Sequence, residues 1–210
     1  TSLDLAECHK ITDLSPLASC TALTSLDLSF CNQITDLRPL ASYVALKDLY
    51  LSYCDQITDL SPLASCVALK DLYLCYCDQI TDQILNTLPI LRTLKDLTLE
   101  GCDQITDLSP LQSYTALKTL SLSGYNQITD LSPLASCTAL TKLDLSDCKG
   151  ITNLSPLTSC TALTSLDLEN CDQITDLSPL ANHPSLSKLI GPDGVKVDLT
   201  SLSNMQQPGP

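Results

Sequence analysis

Twelve cysteines, a ladder of evenly spaced aspartates and seven tyrosines are the side chains of this 210-residue sequence with chemistry to offer, and their spacing decides what each can support. The cysteines fall in columns. Cys8, Cys31, Cys54, Cys77, Cys102, Cys148 and Cys171 occupy one, with Tyr125 as its odd member. Cys20, Cys66, Cys137 and Cys160 occupy a second, interrupted by Tyr43, Leu91, Tyr114 and His183. Thiols repeated at one position of a stacked chain lie ~5 Å apart and point the same way, which suits small buried side chains better than disulfides. No C-x-x-C pair accompanies a His pair, so metal binding is disfavoured too. Cys75 stands outside both columns and is the one thiol expected to be reachable.

The aspartates repeat as Asp13, Asp36, Asp59, Asp82, Asp107, Asp130 and Asp176, with Asn153 as the substitution. Two carboxylates ~5 Å apart repel by about 1 kcal/mol in water and by more at lower dielectric, so something must offset this. Either each Asp accepts N–H groups of the following turn, which Asn can also do, or the column binds Ca²⁺. The glycine-rich turns of calcium-binding nonapeptide repeats are missing, which favours the turn reading, and no metal or cofactor is expected. Asn153-Leu154-Ser155 matches a glycosylation sequon, but Pro156 follows and the position reads as structural. Catalysis lacks its components: His9 and His183 fall in different repeats, and Cys8 beside His9 belongs to the buried column. The chain is therefore read as a non-enzyme.

What must position these columns is a block of 23 residues. The pairs Leu3/Leu5, Leu26/Leu28, Leu49/Leu51 and Leu72/Leu74 step by 23, and Leu97/Leu99, Leu120/Leu122, Leu143/Leu145 and Leu166/Leu168 follow after a single step of 25. Leu-x-Leu alternates with a period of two, so each block donates one short strand whose leucines face inward. The return path runs through Ile-Thr-Asp-Leu into Ser-Pro, as at Ser61-Pro62 and Ser132-Pro133. Serine as cap with proline at the first helical position predicts a short helix or 3₁₀ turn. The result is an α/β fold, a right-handed solenoid with a parallel sheet on the concave face and short helical turns on the convex face. In the fourth block, Asp82 to Leu91 lacks Ser-Pro and predicts a longer outer helix that changes the local curvature.

The unit L-x-x-L-x-L-x-x-C-x-Q-I-T-D-L-S-P-L, cleanest at Leu23 to Leu40, resembles the leucine-rich repeat from Leu3 to about Ile190. Its I-T-D-L-S-P-L-A stretch is similar to the repeats of internalin-like bacterial surface proteins and phosphatase regulators. The Cys in place of the usual Asn is similar to the cysteine-containing type of F-box proteins, and C-x-x-I-T-D-x-S-P-L also resembles kinetoplastid leucine-rich repeat proteins. The family's functions are diverse, so function does not come with the fold.

The repeats place about eight units in residues 1–190, a capping segment in 191–205 and a flexible tail in 206–210. Val195 to Leu199 reads as a final strand that closes the core, after a turn at Gly191 to Gly194. The chain opens at Thr1 inside a strand pattern, which points to a mature fragment, a trimmed piece or part of a longer array. No apolar run approaches the ~20 residues of a membrane span. The free thiols favour a reducing compartment such as the cytoplasm, with an extracellular or cell-surface location as the alternative, since burial would protect them there.

Function is sought on the strand face, where residues between the leucines are free to vary. Coils two to five gather Phe30, Tyr50, Tyr53, Tyr73 and Tyr76 beside Asp48, Asp71, Asp96 and Glu100. Tyrosines with an acidic rim are a recognition surface for a protein, or for a glycan, with basic or hydroxyl-rich groups. The plain alternative is recent duplication, with the rings merely stacking on each other. Lys47, Lys70, Lys95 and Lys118 form a row on one margin that reads as a solvated charge stripe paired with the neighbouring aspartates. A net charge of −13 speaks against nucleic acid and anionic membrane surfaces. The expected function is a non-enzymatic binding scaffold; the alternative is an assembly module that self-associates through its uncovered N-terminal edge.

Overall fold

The computed structural model describes residues 1–87 and 93–205. Among the described residues, nine three-residue strands lie in one parallel sheet in chain order: β1 (Ser2–Asp4), β2 (Ser25–Asp27), β3 (Asp48–Tyr50), β4 (Asp71–Tyr73), β5 (Asp96–Thr98), β6 (Thr119–Ser121), β7 (Lys142–Asp144), β8 (Ser165–Asp167) and β9 (Lys188–Ile190). The central leucine of each strand pairs with the next, Leu3 to Leu26 and so on to Leu166 with Leu189. The inward leucines of coils two to eight are almost fully excluded from water. Each buried leucine contributes about 1.5–3 kcal/mol, so the coils hold together through a continuous apolar column that no single coil could build.

Most return paths are 3₁₀ turns opening on Pro, as at Ser61–Ser65, Ser109–Ser113, Ser132–Ser136 and Ser155–Ser159. Serine is not their cap, contrary to the sequence expectation. The residue before it is a leucine with no side-chain capping bond, and the capping acceptor lies one residue further back. Asp59 and Asp130 Oδ1 accept the N–H of Ser61 and Ser132, each at 2.8 Å. Asn153 does the same for Ser155 at 2.9 Å, which is why an amide can replace the carboxylate. Hydrogen bonds from Ser15, Ser132 and Ser178 hold Asp13, Asp130 and Asp176 below the ordinary carboxylate range. This is the turn reading of the ladder, and it keeps the carboxylates charged despite their spacing.

Asp82 departs from its column. Its block lacks Ser-Pro, and the outer face there carries α1 (Asp82–Leu85). Asp82 instead grips the next coil: Oδ1 accepts the N–H groups of Thr106 and Asp107 at 2.8 and 3.0 Å, and Oδ2 accepts the Thr106 hydroxyl at 2.8 Å. Burial alone would raise its pKa, but these donors outweigh it and hold it low. Leu72 still pairs with Leu97, so the two extra residues are absorbed outside the sheet. α1 ends in a turn at Asn86 and Thr87, and residues 88–92, which include Leu91 of the expected longer helix, lie outside the described residues, as does the 206–210 tail.

The C-terminal segment corrects another expectation. Val195 to Leu199 forms no strand; Lys196 makes one antiparallel bridge to Ile190. Asp198 then accepts the N–H of Thr200 at 3.0 Å, and α2 (Leu199–Met205) starts there and places Leu202 in the core. The local Asx bond competes successfully with strand pairing because Asp-x-Thr offers both an acceptor and a helix start.

The cysteine columns face inward, and their thiols are hydrogen-bonded rather than idle. Cys31, Cys54 and Cys77 Sγ donate to the carbonyls of Leu5, Leu28 and Leu51 in the preceding coil at 3.1 to 3.2 Å. Tyr125 substitutes its hydroxyl, donating to Leu99 O at 2.6 Å. In the second column, Tyr43 Oη reaches Leu17 O at 2.6 Å where Cys160 Sγ reaches Leu134 O at 3.2 Å. Burial pushes the Cys54, Cys102 and Cys148 thiols up to about 12, which keeps them unreactive. Cys75 is not the most reachable thiol. It is half-buried and donates to Thr98 Oγ1 at 3.3 Å, whereas Cys20 is exposed and Cys8 half-buried, because the first coil is covered on one side only.

Candidate functional site

The aromatic residues grouped in the sequence separate into two stacks of different origin. Tyr50 and Tyr73 are the last residues of β3 and β4, with ring centroids 4.5 Å apart and planes within 4°. Phe30, Tyr53 and Tyr76 lie beyond the strand ends and stack in succession at 4.4 and 4.7 Å. These three are not strand residues. Each has a left-handed backbone, with φ of 63°, 60° and 55°. Their column continues through Gly101 and Gly124, also left-handed, and then through Asp147 and Asn170.

That conformation costs a residue with a Cβ roughly 1–2 kcal/mol relative to glycine, and Asn and Asp tolerate it better than bulky side chains. Three consecutive aromatics there, each 37 to 40% exposed, are unfavourable both locally and in solvation. The column at the last strand residue shows a parallel loss. In coils one, two, seven and eight it holds Asp4, Asp27, Asp144 and Asp167, each accepting the N–H two residues on at 2.8 to 3.1 Å. Tyr50 and Tyr73 occupy this position without a carboxylate to offer. The middle coils have thus given up turn bonds and relaxed turns for rings that the solenoid does not need.

Both stacks end at β5. Thr98 follows Tyr73, and Gly101 follows Tyr76. The Tyr76 ring lies against Gly101, where a Cβ would stand 2.5 Å from ring Cδ1. Its hydroxyl donates to Glu100 Oε1 at 2.7 Å, and this bond to a carboxylate pushes the phenol up to about 12. Gly101→Ala is therefore expected to displace the ring as well as strain the turn. It should lower stability by about 1–2 kcal/mol and return one tyrosine titration toward about 10, readable by ultraviolet titration.

Asp48, Asp71 and Asp96 lie in register across β3, β4 and β5, on the same face as Tyr50, Tyr73 and Thr98 two residues on. All three are half-buried. Burial, then hydrogen bonding with Asp48 and Asp96, pushes Asp71 up to about 7, so Asp71 holds a proton near neutrality. The lysine row does not neutralise it. Among the described residues the one ion pair within 4 Å joins Arg38 to Asp36, far from this face. Burial raises Tyr73 to about 12 as well, with Tyr50 and the aspartates adding to it. The sequence had grouped all nine residues, but the structure resolves them into a carboxylate row, a tyrosine pair and a turn-borne ladder. In the sequence, the turn is signalled by the column Gly101, Gly124, Asp147 and Asn170, residue types that tolerate left-handed backbone.

Among the described residues no helix is long and apolar enough to cross a membrane. A family model described as Leucine Rich repeats (2 copies) matches residues 1–42, 92–136, 115–159 and 138–182. A search of curated proteins finds no match. Among solved structures, an internalin (inlF) from Listeria monocytogenes str. 4b F2365 is 35% identical with a TM-score of 0.70, over 86% of this chain and 51% of that one. An internalin C2 (inlC2) from the same strain is 34% identical with a TM-score of 0.75, over 90% of this chain and 79% of that one. The chain thus spans about half the length of the first and about four-fifths of the second. The Leu-x-Leu strands, the Asp-capped 3₁₀ turns and these matches converge: the chain belongs to the leucine-rich repeat family, in its internalin-like type.

Proposed function

We propose that this solenoid is a non-enzymatic scaffold that binds a partner protein through the aromatic and acidic face of coils two to five. One observation carries the reading: Phe30, Tyr53 and Tyr76 hold exposed, stacked rings on left-handed backbone where the same column elsewhere holds Glu7, Gly101, Gly124, Asp147 and Asn170, none of them aromatic. The fold uses the left-handed turn in every coil but needs no ring there, and exposed rings on so strained a turn are best explained by use. Exposed tyrosines with rigid stacks supply contact area at low entropic cost, as recognition surfaces do. A protein partner fits better than a glycan because the rings present edges in a continuous strip across three coils.

The test is affinity capture with the parent chain and with the Tyr50→Ala, Tyr73→Ala double variant, scored against folding by circular dichroism. The variant is expected to fold and to lose at least tenfold of any captured protein. Undiminished capture would place the site elsewhere. The assembly alternative draws on the first coil, where Leu3, Leu5, Cys8, Ile11 and Leu17 are only partly covered. Light scattering over a concentration range separates the two, since only assembly makes the mass grow.

A further inference from the structure

The acidic row and the tyrosine pair share one face and one pair of strands, which restricts what chemistry a partner can bring. We propose that the face takes a lysine- or arginine-bearing segment of the partner, with the cationic group held between Asp71 and Asp96 and its aliphatic stem along Tyr73 and Thr98. This rests on the binding reading above and specifies the partner for that same face.

Complementarity is the first argument. Asp48, Asp71 and Asp96 are in register on adjacent strands, and none has a cation within 4 Å among the described residues. Lys47, Lys70 and Lys95 sit one residue before them yet leave the carboxylates unpaired. The second argument is shape. The tyrosine pair stops at Thr98, which has no ring, and the ladder stops at Gly101, so the face steps down between β4 and β5. The step is flanked by Asp71, Asp96 and Glu100. A long cationic side chain fits such a step because its methylene stem covers an aromatic surface while its head meets carboxylates. An anionic or neutral group would gain nothing from the row.

The third argument is thermodynamic. Beside Asp71 in register stand Asp48 with Tyr50 on β3, Asp96 on β5 and Tyr73 on its own strand, while Lys47, Lys70 and Lys95 each sit one residue before an aspartate. The carboxylates dominate, and Asp71 retains a proton up to about pH 7. An arriving cation replaces that proton, because it favours the ionised carboxylate. Proton and cation therefore compete, and by linkage affinity rises with pH until the proton is gone.

The experiment is calorimetric titration of the full chain with acetylated hexa-arginine amide in about 0.15 M salt, where long-range attraction is screened beyond ~8 Å. Hexa-citrulline amide is the uncharged control. Hexa-arginine is expected to bind about tenfold more tightly at pH 8 than at pH 6, one decade being set by loss of a proton held at about pH 7. Two buffers of different ionisation enthalpy should report proton release near pH 7. Asp71→Asn should flatten the pH dependence and weaken binding at pH 8 by about tenfold, the worth of one close charge contact. Asp172→Asn, exposed and remote, should change neither.

Equal binding of citrulline, an unaltered pH dependence in Asp71→Asn, or an equal loss in Asp172→Asn would each overturn the proposal. The tyrosine double variant separates the two levels. If capture is lost in that variant while hexa-arginine fails to bind the parent chain, the cationic partner falls and the binding face stands. If capture is undiminished in that variant, the face itself falls.

Discussion

Tyr125→Ala is expected to lower the unfolding free energy by about 3–5 kcal/mol, the range for emptying a buried aromatic site. Tyr125 is 2% exposed and replaces a cysteine in the thiol column, so a whole ring fills the space that Cys102 and Cys148 leave between coils. Its hydroxyl donates to Leu99 O, which keeps the Cys102 N–H at 3.1 Å when the ring is truncated, so one of that carbonyl's two bonds is lost. Tyr125→Phe isolates this hydrogen bond and should cost about 0.5–1.5 kcal/mol. Tyr114→Phe supplies the contrast. The Tyr114 hydroxyl is buried with no partner among the described residues, so deleting it should leave stability unchanged or slightly higher. Urea unfolding followed by circular dichroism orders the three variants; equal losses for the two phenylalanine substitutions would refute the role given to the Leu99 carbonyl.

Asp71→Asn is expected to be more stable than the parent chain at pH 8 and no more stable near pH 4. Folding raises the Asp71 pKa from 3.8 to about 7, first through burial and then through Asp48 and Asp96. The folded state therefore binds the proton more tightly than the unfolded chain does. Its contribution to stability is full below about pH 4 and is lost as pH rises through about 7. The full shift would amount to about 4 kcal/mol at 1.36 kcal/mol per unit; partial exposure of the group reduces the expected gain in the asparagine variant to about 1–2 kcal/mol. Thermal melts of both chains from pH 4 to pH 8 measure this. A difference between the chains that does not grow with pH would show that the row is not charged against itself.

Much of the fold is written in the period. Leucines at alternate positions every 23 residues admit only a stacked parallel sheet, and the Asp, Asn153 and thiol columns follow from the stacking. Two readings failed where local and tertiary preferences compete. Val195-Lys196-Val197 alternates like a strand, yet Asp198 draws the chain into α2. Ser-Pro looks like a capped helix start, yet the acceptor is the Asp two residues earlier, because the return path turns before it coils. The site was legible in its residues and not in its layout. Phe30, Tyr53 and Tyr76 follow the strands so closely that period two assigns them to the sheet, and only backbone angle separates a turn residue from a strand residue there.

The thiol and phenol bonds carry one more consequence. Each such bond donated from a buried column runs from one coil to the carbonyl of the coil before, and the one that crosses the longer coil, Cys102 to Leu74 at 3.0 Å, simply spans two more residues than its neighbours. Every such donor needs a predecessor of the same kind, and none needs a particular predecessor. A gene encoding this array can therefore gain or lose one whole coil without orphaning a donor, while an insertion inside the Leu-x-Leu segment breaks a column from that point on. Length is heritable here in coil-sized steps, and a strip of rings can be widened by copying the coil that bears them.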